Sequence, residues 1–473
     1  PGHPILVPFL GLLFPASRAM CKAPELSAAS SAPDGKQLPR FTRADIASKR
    51  HDLVIIEDEV YDASSFRWAH PGGALFVSVF GGRDGTLAFQ SYHMREFPKQ
   101  KMLKYLVGTL AASETVVKAD PLHLDLSKKI KAAMPKGSFA PTSQIVKASM
   151  IFAAAVALEA YLLMTSRTWF GSVALGLLFA LIGLNVQHDA NHGAMFKNGT
   201  VNAFAGLAQS WIGGSQLMWV QEHVVLHHLH TGDVDMDPDA QLAPALRGHG
   251  DAPWYPWMRL QHLYVFAAEL GYGVVPLFVA FAEVFAMRHK FEKKFALSKL
   301  SWPWAVQSTL MHLLFYGRMF VVPALVAKAA GKSVFVELAQ VASTVAVGGG
   351  YLAFFFFLSH NFDGVHFVKG AEAAGHATYD KGSGFLRQQA ASSSNVGGAK
   401  LCFVNGGLNY QIEHHLFPRV AHSHYPAIAP IVKQFCHERK IPYAHFDTVG
   451  ENIVSVMSYL RKTGDPLYLF KHD

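Results

Sequence analysis

The sequence predicts an α-helical membrane protein, with four transmembrane helices in two hairpins, further helices at the interface, and an α+β module at the N-terminal end. Three observations lead there. Hydrophobic residues make up 51% of the 473-residue chain and charged residues only 16%, a balance that belongs to a membrane protein rather than a soluble one. Several apolar stretches beyond residue 148 have the length needed to cross a hydrocarbon core of ~30 Å. Three histidine clusters border those stretches: His188-Asp189-Ala190-Asn191-His192, His223-Val224-Val225-Leu226-His227-His228 and Gln411-Ile412-Glu413-His414-His415.

The net charge is +8, yet no nucleic-acid-recognition module accompanies it, so no nucleic-acid partner is expected. Lys and Arg flanking membrane segments on the cytoplasmic side account for the excess better. Cys21, Cys402 and Cys436 have no metal or redox spacing and make no disulfide framework.

Residues 1–40 read as a disordered or mis-called N-terminal extension. The chain opens on Pro1, the apolar run from Pro4 to Pro15 lacks a basic leader, and a stretch rich in Ala, Ser and Pro follows Met20. Residues 41–118 carry their own apolar positions and form the α+β module. A polar linker covers 119–144, and the membrane domain covers 145–473. Ser149–Thr165 and Trp169–Val186 make the first hairpin, Ala305–Ala327 and Val334–Leu358 the second. For all clusters to meet at one site, an even number of crossings must separate them. Val201–Val220 and His262–Met287 therefore should not cross, the latter because Glu269 and Glu283 would be costly at the bilayer centre. Lys128, Lys129, Lys131, Lys136 and Lys147 precede the first span and Arg288, Lys290, Lys293 and Lys294 the third. Basic residues at those positions put both termini and all three clusters in the cytosol.

In the module, His70-Pro71-Gly72-Gly73 is followed by Asp84, Thr86, Phe89 and His93. Glycine permits the tight turn after His70. A second histidine after a helical stretch can face the first across a flat cofactor, giving a low-spin electron carrier with no open position. In this order the residues resemble the cytochrome b5 domain, which implies heme b held by His70 and His93.

Any one histidine of the three clusters would ordinarily be a satisfied core or surface side chain. Three clusters at membrane borders are different, because buried imidazoles there are costly unless they are paired or bind something. Spacings of i, i+3 and i+4 put ring nitrogens on one helix face. Seven histidines exceed the four ligands of one tetrahedral zinc, so two metals are expected, with iron, copper and zinc all open.

An electron carrier joined to such a site implies reductive O2 chemistry on a lipid. The three clusters, the N-terminal module and the two hairpins resemble the front-end acyl-lipid desaturases from about residue 41 onwards. Gly183–Ala194, Trp219–Asp239 and Asn405–Arg419 look most like microalgal Δ5 members. The resemblance implies two non-heme iron ions held by His188, His192, His223, His227, His228, His414 and His415, with His360 as an additional ligand. Gln411, where the wider family has histidine, would offer an amide oxygen to iron or bond a bound water. Asp189 and Asn191 would hydrogen-bond ring nitrogens and set their tautomers, and Glu413 could do the same or stand exposed. The resemblance further implies a fatty acyl lipid substrate (Δ5 on C20 chains), O2, NADH-cytochrome b5 reductase as electron donor, and the endoplasmic reticulum membrane. Alternatives are Δ4, Δ6 or Δ8 desaturation, a sphingoid-base desaturase and a lipid hydroxylase. More distant is a membrane heme electron carrier, which would need histidines at two depths.

Four further features have bland readings. Phe354–Phe357 read as packing or lipid-facing residues, Asp235–Asp239 as a solvated turn, His422 as structural, and Gly348–Gly350 as a site of close helix approach.

Overall fold

The computed structural model describes residues 38–49, 52–272, 274, 302–369 and 384–468. The expected N-terminal extension falls almost wholly outside these residues, as do Arg288, Lys290, Lys293 and Lys294.

The N-terminal unit is built on a five-stranded sheet in the order β1-β5-β3-β2-β4. Its strands are β1 (Arg40–Phe41), β2 (Leu53–Ile56), β3 (Glu59–Asp62), β4 (Arg83–Asp84) and β5 (Leu106–Leu110). β2 and β3 pair antiparallel with Leu53 opposite Asp62, while β1 and β4 join their neighbours in parallel. Ile46, Ile55, Val60 and Leu110 close a small core against the sheet. Between β3 and β5 lie short helices over Phe66–Ala69, Ala74–Ser78 and Thr86–His93. The linker is helical over Pro121–Ala133. Asp120 caps this helix by accepting the Leu122 and His123 amides, and Pro121 opens it with φ already set. Its Leu126 and Ile130 pack with Phe417, Tyr425 and Phe435 of the C-terminal helices, so the linker is part of the core.

Among the described residues, four helices are long and apolar enough to cross a membrane: α1 (Thr142–Met164), α2 (Trp169–Asn191), α3 (Pro303–Ala329) and α4 (Val334–His360). The chain is thus a helical membrane protein with two hairpins. Hydroxyl caps start the returning helices, Thr168 accepting the Gly171 amide and Ser333 the Val336 amide. The hairpin tips meet, with buried Arg167 placing its Nε 2.9 Å from half-buried Glu337 and Lys332 donating to the Thr165 carbonyl at 3.2 Å. α2 and α4 therefore run the same way and deliver His188 and His360 at the opposite end. Glycine lets them approach closely. A Cβ on Gly176 would sit 2.5 Å from the Thr344 carbonyl oxygen, and one on Gly348 3.0 Å from that of Gly176. The Thr344 hydroxyl donates to the Ser172 carbonyl at 3.0 Å. An ion pair between Glu159 and Arg318 joins α1 to α3.

Val201–Val220 does not span. It breaks into helices over Gly199–Gly206, Ala208–Trp211 and Gln216–Trp219, with Gly213 at φ 106° between them. Of His262–Met287, only residues up to Tyr272 and residue 274 are described. Helix Gln261–Tyr272 lies against α4, where a Cβ on Gly350 would be 2.9 Å from the Leu270 side chain. Glu269 is buried, and Glu283 lies outside the described residues.

Because a backbone oxygen cannot swing aside, Gly176→Ala should destabilise the α2–α4 contact by about 1–3 kcal/mol. A lowered melting temperature of the detergent-purified protein checks this. Gly317→Ala in α3, with nothing within 4 Å of the added carbon, should leave it unchanged.

Candidate metal centre

All three histidine clusters, together with His360, converge at the end of the bundle away from the hairpin tips. One ring nitrogen from each of His188, His192, His223 and His414 lies within 4.8 Å of the other three, and the same holds among His227, His360 and His415. His228 belongs to neither set but stands between them, its ring centroid 4.6 Å from His414 and 4.4 Å from His415. All eight side chains are buried.

Local backbone geometry explains the second cluster. On an α-helix of 3.6 residues per turn, His223 and His228 would point about 140° apart. Val220–His227 instead winds as a π-helix, whose wider turn brings residues five apart into line. The Nε2 atoms of His223 and His228 come within 3.2 Å of each other. A second π-helical turn, Gly183–Gln187, interrupts α2 just before His188. The i+3 and i+4 spacings of the sequence reading therefore hold for the first and third clusters, and the second needs the i+5 turn.

The rings are held from behind by their Nδ1 atoms. His227 Nδ1 is 2.9 Å from Asp237, and His360 Nδ1 donates to the Ser392 carbonyl at 2.9 Å. His414 Nδ1 is 3.1 Å from the Tyr425 hydroxyl, and His415 Nδ1 is 3.0 Å from the Gln389 side-chain oxygen. His192 Nδ1 is 2.7 Å from the Tyr92 hydroxyl. The Nε2 atoms of His188, His192, His227, His360, His414 and His415 are buried with no hydrogen-bond partner. Anchored Nδ1 and unpartnered Nε2 is how histidines present themselves to a metal. Burial first, then neighbouring imidazoles, hold His192, His223, His228, His414 and His415 well below the ordinary imidazole pKa, so these rings are neutral and ready to ligate. Burial acts the same way on His227, but Asp237 and Asp239 outweigh it and lift the ring to about 9. A cation at its Nε2 would take the place of that proton.

Gln411 sits one turn before His414 and His415, fully buried, with neither amide atom hydrogen-bonded. Asp189 accepts from Gln144 at 2.6 Å and from the His422 backbone amide, lies 2.9 Å from His422 Nδ1 and is 3.8 Å from His188 Nδ1. Asn191 is a correction. Its amide bonds Gln187, the Gly206 carbonyl and Gln216, not an imidazole, because its place on the helix faces Gly206. Glu413 is buried and accepts from Asn395 and Tyr443, and burial lifts its carboxyl to about 7. Asp237 is likewise no solvated turn residue. It is 3% exposed and also accepts the Gly232 amide. Phe356, read as packing, sets its ring 5.8 Å from that of His223, and Trp219 lies 4.4 Å from the same ring. Sequence reasoning missed Tyr92, Gln389 and Tyr425, which reach the rings from remote segments.

In the N-terminal unit, His70 and His93 face each other with ring centroids 6.0 Å apart. They border a cavity of about 500 Å³ with predominantly apolar walls. His93 Nδ1 donates to the Phe89 carbonyl at 3.0 Å and His70 Nδ1 to the Gly73 carbonyl at 3.2 Å, leaving both Nε2 atoms for an iron. A Cβ on Gly72 would press on the His70 ring at 2.9 Å, and Gly73 takes φ 99°, so the turn needs both glycines. Burial keeps both rings below the ordinary imidazole value, His93 at about 3.

A fused heme unit and a chamber of imidazoles at the end of two membrane hairpins define an oxidoreductase of acyl lipids, and the chain belongs to the fatty acid desaturase family. The profile "Fatty acid desaturase" matches residues 165–447, and "Cytochrome b5-like Heme/Steroid binding domain" matches residues 43–111. The chain is 48% identical to an acyl-lipid (7-3)-desaturase of Rebecca salina over 426 residues (90% of this chain, 93% of that protein). It is 44% identical to an acyl-lipid (7-3)-desaturase of Diacronema lutheri over 430 residues (90% and 94%). An acyl-lipid (8-3)-desaturase of Physcomitrium patens is 29% identical over 472 residues (92% and 94%). Heme and a pair of non-heme irons are the cofactors of this architecture, and the unpartnered nitrogens fit both.

Removing the carboxylate behind a ligating histidine typically weakens metal binding roughly 10–100-fold. Iron titration of Asp237→Asn should show that loss for one of the two non-heme irons, with the heme spectrum unchanged.

Proposed function

We propose that this chain carries out front-end desaturation with (7-3) regiochemistry. Starting from an acyl chain with a double bond at carbon 7, it adds one three carbons nearer the carboxyl, at carbon 4. The supporting observation is the 48% and 44% identity to two (7-3)-desaturases, against 29% to an (8-3)-desaturase. The Δ5 position expected from the motifs is the second reading, and the (8-3) relative favours it.

His188, His192, His223 and His414 hold one iron, and His227, His360 and His415 the other. His228 lies where it can serve either. Gln411 offers its amide to the metal or to a bound water, and leaving it unpaired would cost about 1–3 kcal/mol. His70 and His93 hold heme b. When bound, the iron pair supplies the O2-derived oxidant that unactivated C–H bonds require. The protein's own part is to fix the rings from behind, orient the acyl chain and keep water out. Trp219 and Phe356, beside His223, serve the last of these. Asp189 acts on the site through its place between His188 and His422.

The chain divides into an extension (1–40), a heme unit (41–118), a linker (119–144) and a membrane domain (145–473). Lys128, Lys129, Lys131 and Lys136 lie between the heme unit and α1, which supports a cytosolic site and cytosolic termini in the endoplasmic reticulum membrane. NADH-cytochrome b5 reductase is the corresponding electron donor.

The test is expression in a yeast lacking polyunsaturated lipids, with C18 to C22 acids supplied singly and products located by mass spectrometry. Acids whose first double bond is at carbon 7 should gain one at carbon 4. A new bond at carbon 5, made from acids unsaturated at carbon 8, would replace this reading with the second.

A further inference from the structure

We propose that Tyr92 is the contact through which electrons pass from the heme unit to the iron pair, and that the heme unit is docked so as to make this contact. The inference rests on the assignments above of His93 to the heme and His192 to the metal centre.

Tyr92 is the covalent neighbour of His93, and its hydroxyl lies 2.7 Å from His192 Nδ1. The two rings are 6.2 Å apart and inclined by 26°. His192 Nε2 is buried and unpartnered. An imidazole offering Nε2 to a metal carries its proton on Nδ1, and here that proton is donated to the Tyr92 oxygen. From one metal-binding histidine to the other, the route is one peptide link, one side chain and one hydrogen bond, with no jump through empty space.

Independent contacts hold the two units in this register. A Cβ on Gly199 would meet the Pro71 oxygen and the Gly72 carbonyl carbon at 2.5 Å, and the Gly199 amide donates to the Pro71 carbonyl at 3.1 Å. The His-Pro-Gly-Gly turn is thus seated directly on the membrane domain. Val79 of the heme unit shares an apolar core with Leu217, Met218 and Val224, and Tyr92 packs against it. His192 and Arg419 of the membrane domain themselves border the heme cavity.

Each passage oxidises ferrous heme to ferric heme and reduces one ferric non-heme iron to ferrous. Two passages supply two electrons. With two protons and the two hydrogens removed from the acyl chain, these reduce O2 to two waters. A flavoprotein reductase returns the heme to the ferrous state.

The experiment uses the full chain, loaded with heme and iron, in lipid nanodiscs. Heme reoxidation after mixing with O2 and substrate lipid is followed by stopped-flow absorbance, with iron-free protein giving the background. Tyr92→Phe, assayed with iron in excess because losing an outer partner of a ligating histidine weakens metal binding roughly 10–100-fold, should slow the iron-dependent phase. Its heme spectrum and iron content should not change. Gly199→Ala, which unseats the turn, should slow the same phase. With the irons chemically reduced beforehand, single-turnover desaturation by Tyr92→Phe should lose far less than the heme-driven phase does. Reoxidation at the parent rate, an iron site left unfilled in excess iron, or a single-turnover rate that falls as far as the heme-driven phase would each overturn the proposal. Failure of the underlying assignment reads differently, since His192→Ala would then keep both non-heme irons.

Discussion

The structure depends on one constraint: buried imidazole nitrogens must be satisfied, and in six of the eight clustered rings no protein group satisfies Nε2. Leaving a buried polar atom unpaired costs about 1–3 kcal/mol, and six Nε2 atoms are left so within one chamber. Bound cations meet that need together. The neutral state of most of these rings follows from the same burial and suits them to accept a metal.

The surrounding architecture keeps those nitrogens aimed. α2 and α4 approach closely through Gly176 and Gly348, and their tips are tied by Arg167 and Glu337. His188 and His360 therefore emerge at the same end. The π-helical turn at Val220–His227 aligns His223 with His228. Partners arrive from remote segments: Asp237 from the turn after the second cluster, Gln389 and Ser392 from the segment after α4, Tyr425 from the C-terminal helices and Tyr92 from the heme unit. The centre is thus assembled by tertiary packing of several separate stretches.

Much of this was legible in the sequence, for physical reasons. Apolar runs of spanning length and the need for an even number of crossings led to the four spans and to Val201–Val220 as a non-crossing stretch. The number of clustered histidines led to two metals, and His70 and His93 to the heme. What could not be read was anything set by long-range geometry. Asn191 looked like a ring partner because it adjoins His192, yet its side chain points to Gly206. Glu413 read as exposed as readily as bonded to a ring, and Asp237 as part of a solvated turn, although both are buried and hydrogen-bonded. The i+5 turn leaves no periodic signal. Tyr92 is a hundred residues from its partner, and only its position next to His93 could have drawn attention to it.

Iron anomalous scattering from crystals of the iron-loaded protein tests the central claim most directly. The account predicts two peaks inside the chamber, one bonded by Nε2 of His188, His192 and His414 with a ring nitrogen of His223, the other by Nε2 of His227, His360 and His415. A single chamber peak, or irons held by carboxylates away from these nitrogens, would contradict it.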